Sequence, residues 1–305
     1  VFGKALKDGY REKTFIATKA PVWKIHREED FAITLDEQLE KLDVDYIDFY
    51  LLHALSLDRW NNTILKYNVL EQAEKAKAEG KIKHFGFSFH DNLDVFKTIV
   101  DGYDKWEFCQ IQLNYIDVNN QAGLEGLRYA TDKGLGVIIM EPLLGGKLAN
   151  PPTQVAKVLP QAKNPVEWAF DFLWDLEEVS FLLSGMGTLE QVKQNIEYAN
   201  RSSVHMLGQE DKDMFVKAKE IYDTMALVPC TKCAYCMPCP FGLDIPKIYE
   251  AYNKTASAGM DQAKKLYEEL TVSAEACQQC QACEEVCPQK IISSELMHEI
   301  GKVFA

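Results

Sequence analysis

Short apolar runs alternate with amphipathic segments along the first 226 residues. The apolar runs are rich in Ile, Val, Phe, Leu and Tyr, as expected of strands that are covered on both faces. They span residues 14–19, 46–53, 84–89, 108–115, 136–143 and 179–186. Segments with helical periodicity lie between them, at residues 28–42, 62–79, 92–100, 122–133, 164–174 and 188–200. This strict alternation predicts a parallel α/β sheet.

The glycine pattern chooses between two kinds of parallel α/β fold. A doubly wound dinucleotide-binding sheet needs a glycine-rich turn after its first strand, and the sequence contains no Gly-x-Gly-x-x-Gly. A (β/α)8 TIM barrel is therefore favoured for residues 1–226. Such a barrel has eight strands, whereas the pattern supplies six. We expect the first two strand–helix units to lie upstream of Val1, so that residues 1–226 form an N-terminally incomplete barrel.

Eight of the nine cysteines fall between residues 230 and 287, in two tight runs. In each run three cysteines stand at i, i+3 and i+6, and a fourth cysteine followed by proline comes shortly after. This is the spacing of two-cluster bacterial ferredoxins, in which the fourth cysteine ligates the other cluster. The first run is one residue shorter before its last cysteine. The spacing predicts a ferredoxin-like domain over residues 227–305, with one [4Fe–4S] cluster on Cys230, Cys233, Cys236 and Cys287 and another on Cys277, Cys280, Cys283 and Cys239.

Two other interpretations of these cysteines are open. Eight thiolates also suffice for two four-cysteine zinc sites, although zinc modules usually offer separated Cys-x-x-Cys pairs. A disulfide framework is typical of small secreted domains that lack a core. The triplet followed by Cys-Pro, repeated twice, favours iron–sulfur clusters over both.

Composition narrows the class of protein. Hydrophobic residues make up 47% of the 305 residues and charged residues 26%, which is ordinary for a soluble globular protein. The formal net charge of −13 argues against binding to nucleic acid or to an anionic membrane. No stretch approaches 18 apolar residues and no signal peptide is recognisable, so we expect a cytoplasmic protein without membrane spans.

Polar residues stand where several predicted strands end, which is the face on which barrels carry their chemistry. Lys19 and His53 close two neighbouring runs, and Ser88 and Gln110 lie in the next two. A single lysine or histidine at a strand end is most often structural, but several that converge on one rim indicate a site. After the last run, Ser184-Gly-Met-Gly187 precedes Thr188-x-x-Gln191, a capping-box pattern that opens a helix beside a glycine-containing loop. That loop and Pro142–Lys147 form a candidate phosphate site, with an ordinary turn as the alternative.

Together these segments resemble an aldo-keto reductase that carries a C-terminal two-cluster ferredoxin-like domain. The resemblance rests on Phe15-Ile-Ala-Thr-Lys19, Asp45-Tyr-Ile-Asp-Phe-Tyr-Leu-Leu-His53 and the segment from Leu183 to Asn195, besides the cysteine runs. It implies a catalytic tetrad of Asp, Tyr, Lys and His around a substrate carbonyl, in which Lys19 and His53 take the matching positions. The Asp and Tyr are then expected upstream of Val1.

The resemblance also implies a nicotinamide nucleotide, with Ser88 and Gln110 holding the nicotinamide amide. The family's asparagine after that serine is Phe89 here. Gly185 and Gln191 replace the Lys and Arg that bind the 2′-phosphate in NADPH-preferring reductases, so we expect either a preference for NADH or weak nucleotide binding. The full set of expected nucleotide contacts is Ser88, Gln110, Pro142, Leu143, Gly145, Ser184, Gly185, Met186, Gly187, Gln191 and Asn195.

Three functions fit these features. The first is an iron–sulfur oxidoreductase that reduces a carbonyl or related small molecule with NAD(P)H, with cluster-delivered electrons, or with both. Hydride carries two electrons and each cluster passes one, which leaves a flavin open as a further cofactor. The second is an electron-transfer module whose barrel only docks onto a redox partner such as a ferredoxin or flavoprotein. In the third, the clusters are purely structural.

Overall fold

The computed structural model describes residues 2–225 and 227–305. Within them, one parallel sheet contains the strands β1 (Ala17–Ala20), β2 (Ile47–Leu55), β3 (Ile82–Phe89), β4 (Phe108–Gln112), β5 (Gly136–Met140) and β6 (Phe181–Leu182). Every pair of neighbours is parallel, and the spatial order follows the chain order from β1 to β6. A doubly wound sheet would reverse its order at a switch point, so this progression is that of a barrel.

The helices connect and flank these strands. In chain order they are α1 (Phe2–Ala5), α2 (Asp30–Leu42), α3 (Leu57–Arg59), α4 (Val69–Ala78), α5 (Leu93–Asp101), α6 (Gly123–Asp132), α7 (Thr153–Ala156), α8 (Pro165–Trp174), α9 (Leu189–Asn200), α10 (Gln209–Asp223), α11 (Ile245–Ser257), α12 (Met260–Glu268), α13 (Ala282–Glu285) and α14 (Ser293–Phe304). The side chains of Asn92 and Asn164 accept backbone hydrogen bonds at the N-termini of α5 and α8, and asparagine is a favoured residue at this capping position.

Three local features differ from the sequence pattern. The helix expected over 62–79 is divided into a π-helical turn, Trp60–Leu65, and α4, with Asn68 between them in a left-handed conformation. The strand expected over 179–186 shortens to β6, since Phe181 is exposed and little burial favours a longer strand. Helix α10 was not expected, because only Phe215, Ala218 and Tyr222 of its 15 residues are buried.

By compactness the chain falls into two units. The sheet unit comprises Val1–Leu113, Asp117–Pro142 and Leu176–Leu189, and the helical unit comprises Asn114–Ile116, Leu143–Asp175 and Glu190–Ala305. The boundary predicted at 226/227 stays a prediction, and Val1 and Ala226 lie outside the described residues. The two further strand–helix units expected upstream of Val1 also stay a prediction.

Each unit has its own apolar packing. In the sheet unit, aromatic rings pack between strands and helices, as in the edge-on contact of Phe31 with Tyr50 at 5.8 Å between ring centroids. In the helical unit, one core forms around Trp168 and Phe215, and a separate one around Ile248 and Ile300. The cysteine runs pack against this second core. None of the helices in the described part of the chain has the length and apolar character needed to cross a bilayer.

Candidate active site and cluster sites

Lys19 and His53 lie on adjacent strands of the sheet unit. Lys19 in β1 pairs with Leu51 of β2, and His53 follows two residues further along the same strand. Both side chains are half-buried. Gln38 donates to the Lys19 carbonyl at 2.9 Å, which ties this end of β1 to α2. The structure therefore brings the two predicted catalytic residues to the same edge of the sheet, close enough for their charges to interact.

A β-bulge determines where His53 points. Leu52 pairs with Phe87 and Leu55 with Phe89, so His53 and Ala54 together face the single residue Ser88. Ala54 has a φ of 57°, and its N–H donates to Ser88 Oγ at 2.8 Å. Arg59 donates to the Ala54 carbonyl at 2.6 Å. Ser88 and Arg59 thus hold the backbone of Ala54, the residue after His53, in the bulge, and a bulge of this kind re-aims the neighbouring side chain.

Burial controls the electrostatics at this edge. It is the first cause that lowers the pKa of His53 to about 4, followed by the positive charges of Lys19, His90 and Arg59. Burial likewise lowers the pKa of Lys19. At neutral pH the imidazole is therefore uncharged, with one ring nitrogen able to donate a hydrogen bond and the other able to accept one.

Two residues beside His53 were not found from the sequence. The indole of Trp23 lies 4.9 Å from the imidazole, ring centroid to centroid, although half of the Trp23 surface is exposed. Arg59 stacks over the same indole at 5.7 Å. Neither residue belongs to a strand or to a periodic apolar pattern, so the hydrophobic sequence pattern carries no signal for them.

Ser88 and Gln110 lie side by side. They are direct neighbours across β3 and β4, and both are almost fully buried. The Gln110 amide donates to Met140 Sδ at 3.1 Å. Ser88 Oγ accepts from Ala54 and so keeps its O–H as a donor. The pair thus offers a hydroxyl donor beside an amide, which fits the polar groups of a carboxamide.

The remaining residues predicted to contact the nucleotide are divided between the units. In the sheet unit, Pro142 follows β5 and the loop Ser184–Gly187 precedes α9, with Gly185 to Gly187 exposed. In the helical unit, Gln191 and Asn195 lie on α9, and Leu143 and Gly145 on the loop after β5. Helix α9 begins at Leu189, where the capping-box pattern expects a helix to start.

Two cavities gather the eight clustered cysteines of the helical unit. One is lined by Cys230, Cys233, Cys236 and Cys287, and the other, of about 170 Å³, by Cys239, Cys277, Cys280 and Cys283, with Cys283 and Cys236 also reaching the neighbouring cavity. Each cavity is thus lined by five cysteines, among them three of one run and the fourth of the other. A [4Fe–4S] cluster takes four thiolates, so the sets fit one cluster each.

The two cysteine runs repeat the same backbone. Lys232 and Ala234 in the first run have φ values of 60° and 62°, and Gln279 and Gln281 at matching places in the second have 54° and 61°. The Lys232 N–H donates to Cys230 Sγ at 3.4 Å, and the Gln279 N–H donates to Cys277 Sγ at 3.4 Å. Left-handed non-glycine residues are uncommon, and successive N–H groups turned inward form the concave nests that hold anionic iron–sulfur groups.

The loop after β5 contacts the first cysteine run. Gly145 has a φ of 61°, and a Cβ there would lie 2.2 Å from the Thr231 carbonyl oxygen. Lys147 Nζ donates to the Cys230 carbonyl. Glycine at 145 is therefore required by close approach to the cysteine run, and not only by a turn.

Sequence comparison covers both the sheet unit and the cysteine runs. A model of the aldo/keto reductase family matches residues 1–206, and a model of a 4Fe-4S dicluster domain matches residues 226–291. This chain belongs to the aldo/keto reductase family. The domain match falls on the cavities lined by the cysteine runs.

Curated relatives of this aldo/keto reductase are distant. L-galactose dehydrogenase of Arabidopsis thaliana is 28% identical over 181 residues, which are 53% of this chain and 56% of the relative. Methylglyoxal reductase YeaE of Escherichia coli (strain K12) is 35% identical over 96 residues, 31% of each chain. The chain thus spans about half the length of the first relative and about a third of the second.

Solved structures support the fold. Aldo-keto reductase AKR11C1 from Bacillus halodurans, in its holo form, aligns with a TM-score of 0.59 and 22% identity over 71% of this chain and 75% of its own. The aldo-keto reductase from Klebsiella pneumoniae in complex with NADPH aligns with a TM-score of 0.57 and 20% identity, over 71% and 73%. The barrel-type fold expected from the strand pattern is confirmed.

Proposed function

We propose that this chain is an iron–sulfur oxidoreductase that reduces the carbonyl of a small molecule, with two [4Fe–4S] clusters and a nicotinamide nucleotide as cofactors. One observation carries the proposal most: each cysteine cavity combines three cysteines of one run with the fourth of the other, over a repeated backbone nest. Cys230, Cys233, Cys236 and Cys287 would hold the first cluster. Cys239, Cys277, Cys280 and Cys283 would hold the second.

In this proposal His53 and Lys19 act on the substrate carbonyl. An uncharged His53 donates an N–H to the carbonyl oxygen, and its low pKa keeps it in that form at neutral pH. The half-buried ammonium of Lys19 adds positive charge where negative charge develops. Trp23, stacked by Arg59, forms an apolar wall beside the imidazole. Bound NAD(P)H would supply the hydride, and the tyrosine of the expected tetrad would supply the proton to the carbonyl oxygen.

The nucleotide contacts extend this proposal. Ser88 and Gln110 would hold the nicotinamide carboxamide, and the exposed glycine loop at Ser184–Gly187 would receive phosphate. The Klebsiella relative is complexed with NADPH. For this chain we propose NADH instead, since Gly185 and Gln191 bring no cation to a 2′-phosphate.

A second candidate is electron transfer to a protein partner. Cys233 and Cys280 are both exposed, so one edge of each cysteine cavity faces solvent. An exposed cluster edge suits exchange of single electrons with a docked ferredoxin or flavoprotein. In that function the site at Lys19 and His53 need not catalyse a reaction.

The test uses full-length protein purified without oxygen. Iron and sulfide counts near eight of each per chain, with a reduced-state electron paramagnetic resonance signal, are expected for two [4Fe–4S] clusters. A colourless protein that contains zinc and no iron would overturn the cluster assignment. Carbonyl reduction is then followed with methylglyoxal and either NADH or NADPH.

Matched variants separate the two candidate functions. Lys19→Met and His53→Gln are expected to lower kcat/KM for carbonyl reduction by about a hundredfold or more. Lys24→Met, which removes an exposed lysine a few residues away, is the control and should leave the rate unchanged. If iron-loaded protein reduces no carbonyl but reduces a ferredoxin, electron transfer is the function.

A further inference from the structure

A third cavity in the helical unit lies against the first cysteine run. It has a volume of about 380 Å³ and is bounded by the loop after β5, the end of α10, the first cysteine run and α11. Cys230 lines both this cavity and the cavity described above for Cys230, Cys233, Cys236 and Cys287. Among the residues expected to contact the nucleotide, Gly145 alone lines it within the described chain.

The charges around this cavity are unlike those of the protein as a whole. The chain carries a net charge of −13, yet Lys147, Lys232 and Lys254 line the cavity against the single carboxylate of Glu250. Three ammonium groups converging in a concave site create a positive potential there. No other carboxylate is found among the described lining residues.

The hydrogen bonds of these lysines leave the potential only partly compensated. Lys147 donates to the Cys230 carbonyl. Lys232 pairs with Glu250 at 2.8 Å. Lys254, half-buried on α11, has no ion-pair partner in the described part of the chain. The lining therefore has an excess of positive charge and at least one ammonium available to a ligand.

The residue types indicate the ligand chemistry. Arginine is favoured where planar carboxylates are bound in a two-pronged fashion, and lysine binds phosphate as a point charge. Arginine is absent from the described lining, and all its cations are lysines. The volume suits a small molecule and is too small for a whole dinucleotide.

We propose that this cavity binds a small phosphate-bearing molecule, held by the ammonium groups of Lys147, Lys232 and Lys254 next to Cys230. The bound dianion lies next to Cys230, which also lines the cavity of the first cluster. Its negative charge disfavours addition of an electron to the first cluster, so reduction and phosphate binding oppose each other. This second effect rests on the proposed function, whereas the binding itself does not.

The binding test uses glycerol 3-phosphate titrated into anaerobic, iron-loaded protein at low salt, followed by calorimetry. Lys254→Met is expected to weaken its affinity about tenfold, since a charge-assisted bond is lost. Glu250→Gln is expected to strengthen the affinity severalfold, because the Glu250 carboxylate no longer competes with the phosphate for Lys232. Changes of opposite sign cannot come from general damage to the fold. Lys264→Met and Glu268→Gln on exposed parts of α12 are the controls and should leave the affinity unchanged.

Comparator ligands decide the chemistry of the site. Glycerol should not bind, and malonate should bind more weakly than glycerol 3-phosphate. Stronger binding of malonate, equal affinities in Lys254→Met and Lys264→Met, or displacement of glycerol 3-phosphate by NADH would each overturn the proposal. The last result would assign the cavity to the nucleotide.

The redox readout is separate from binding and from activity. Glycerol 3-phosphate at a concentration that half-saturates the wild type is expected to lower the midpoint potential of the first cluster in the wild type, and to lower it far less in Lys254→Met, whose affinity is about tenfold weaker. Glycerol 3-phosphate binding without any such shift would overturn the link to the cluster. Absence of iron from the protein would instead refute the proposed function, and the affinities of the variants would still test the site.

Discussion

At the strand ends, Lys19 and His53 stand on neighbouring parallel strands, and one left-handed residue, Ala54, lies in the bulge beside His53. Around the cysteines, left-handed residues recur at matching places in both runs. The strand-end groups are tuned by burial, which makes the charged forms of both side chains less favourable. The cysteine cavities instead gather N–H groups that favour negative charge. The comparison teaches that burial lowers the pKa of Lys19 and of His53 in one unit, whereas inward-turned N–H groups favour negative charge in the other.

The two cysteine runs differ in turn from each other. The first run contacts Lys147 through the Cys230 carbonyl and carries the Lys232–Glu250 pair. The second run leads into α13, whose first turn is acidic with Glu284 and Glu285. Positive charge near a cluster stabilises its reduced form, so we expect the first cluster to have the higher reduction potential.

The largest expected effect is the loss of one cluster when a cysteine that lines one of the two cysteine cavities is replaced. Cys233→Ala and Cys280→Ala should each reduce the iron content from about eight to about four atoms per chain, because each removes one ligand of a different cluster. Iron analysis and electron paramagnetic resonance would measure the loss. Cys287→Ala should remove the same signal as Cys233→Ala, as the crossed arrangement requires. Loss of the other signal would contradict the assignment. Cys109→Ala, at a buried cysteine of β4, is the control.

A second prediction concerns burial at His53. Its folded-state pKa of about 4 lies below the unfolded value of about 6.5, so the unfolded chain binds more protons between these pH values. Stability from this group is complete above pH 6.5 and is lost as the pH falls toward 4. The wild type should lose about 1–2 kcal/mol more than His53→Gln between pH 7 and pH 4, allowing for solvent screening.

Denaturant unfolding at several pH values measures this difference. The exposed histidine His26 supplies the control variant His26→Gln, which should follow the wild type. An imidazole resonance of His53 that titrates near pH 6.5 would show that burial does not set its charge.

The third prediction addresses the contact between the loop after β5 and the first cysteine run. Gly145→Ala should destabilise the protein by about 2 kcal/mol more than Gly146→Ala. Both glycines have positive φ, but only the Cβ at 145 would meet a neighbour, the Thr231 carbonyl. Unfolding by denaturant with intact clusters measures the difference. Equal effects would mean that the loop does not approach Thr231 in solution.

The smallest expected effect refines the comparison of the two runs. Lys147→Met should lower the potential of the first cluster by about 40 mV, equivalent to roughly 1 kcal/mol, because one positive charge beside Cys230 is lost. The potential of the second cluster should stay unchanged. Redox titration followed by electron paramagnetic resonance resolves both, with Lys264→Met as the control. An equal shift in the potentials of both clusters would show that the charge of Lys147 does not act on the first cluster alone.

Sequence by itself determined the class of fold and predicted the two cysteine sets. Apolar runs of strand length and helix caps such as Asn92 act locally, and cysteine spacing reflects how far one loop can reach around a cavity. These signals can be recognised in the sequence without knowledge of distant contacts. The polar strand-end pattern likewise placed Lys19 beside His53, since parallel neighbours end at one edge.

Only the tertiary structure decided the rest. The bulge at Ala54 depends on a hydrogen bond to Ser88, 34 residues away, and Trp23 reaches His53 from a loop without periodicity. Gly145 resembles part of an ordinary turn until Thr231, 86 positions later, is seen to lie against it. The three lysines that line the third cavity of the helical unit come from three separate segments. Such contacts arise from packing between residues far apart in the chain, and no local pattern encodes which of them will meet.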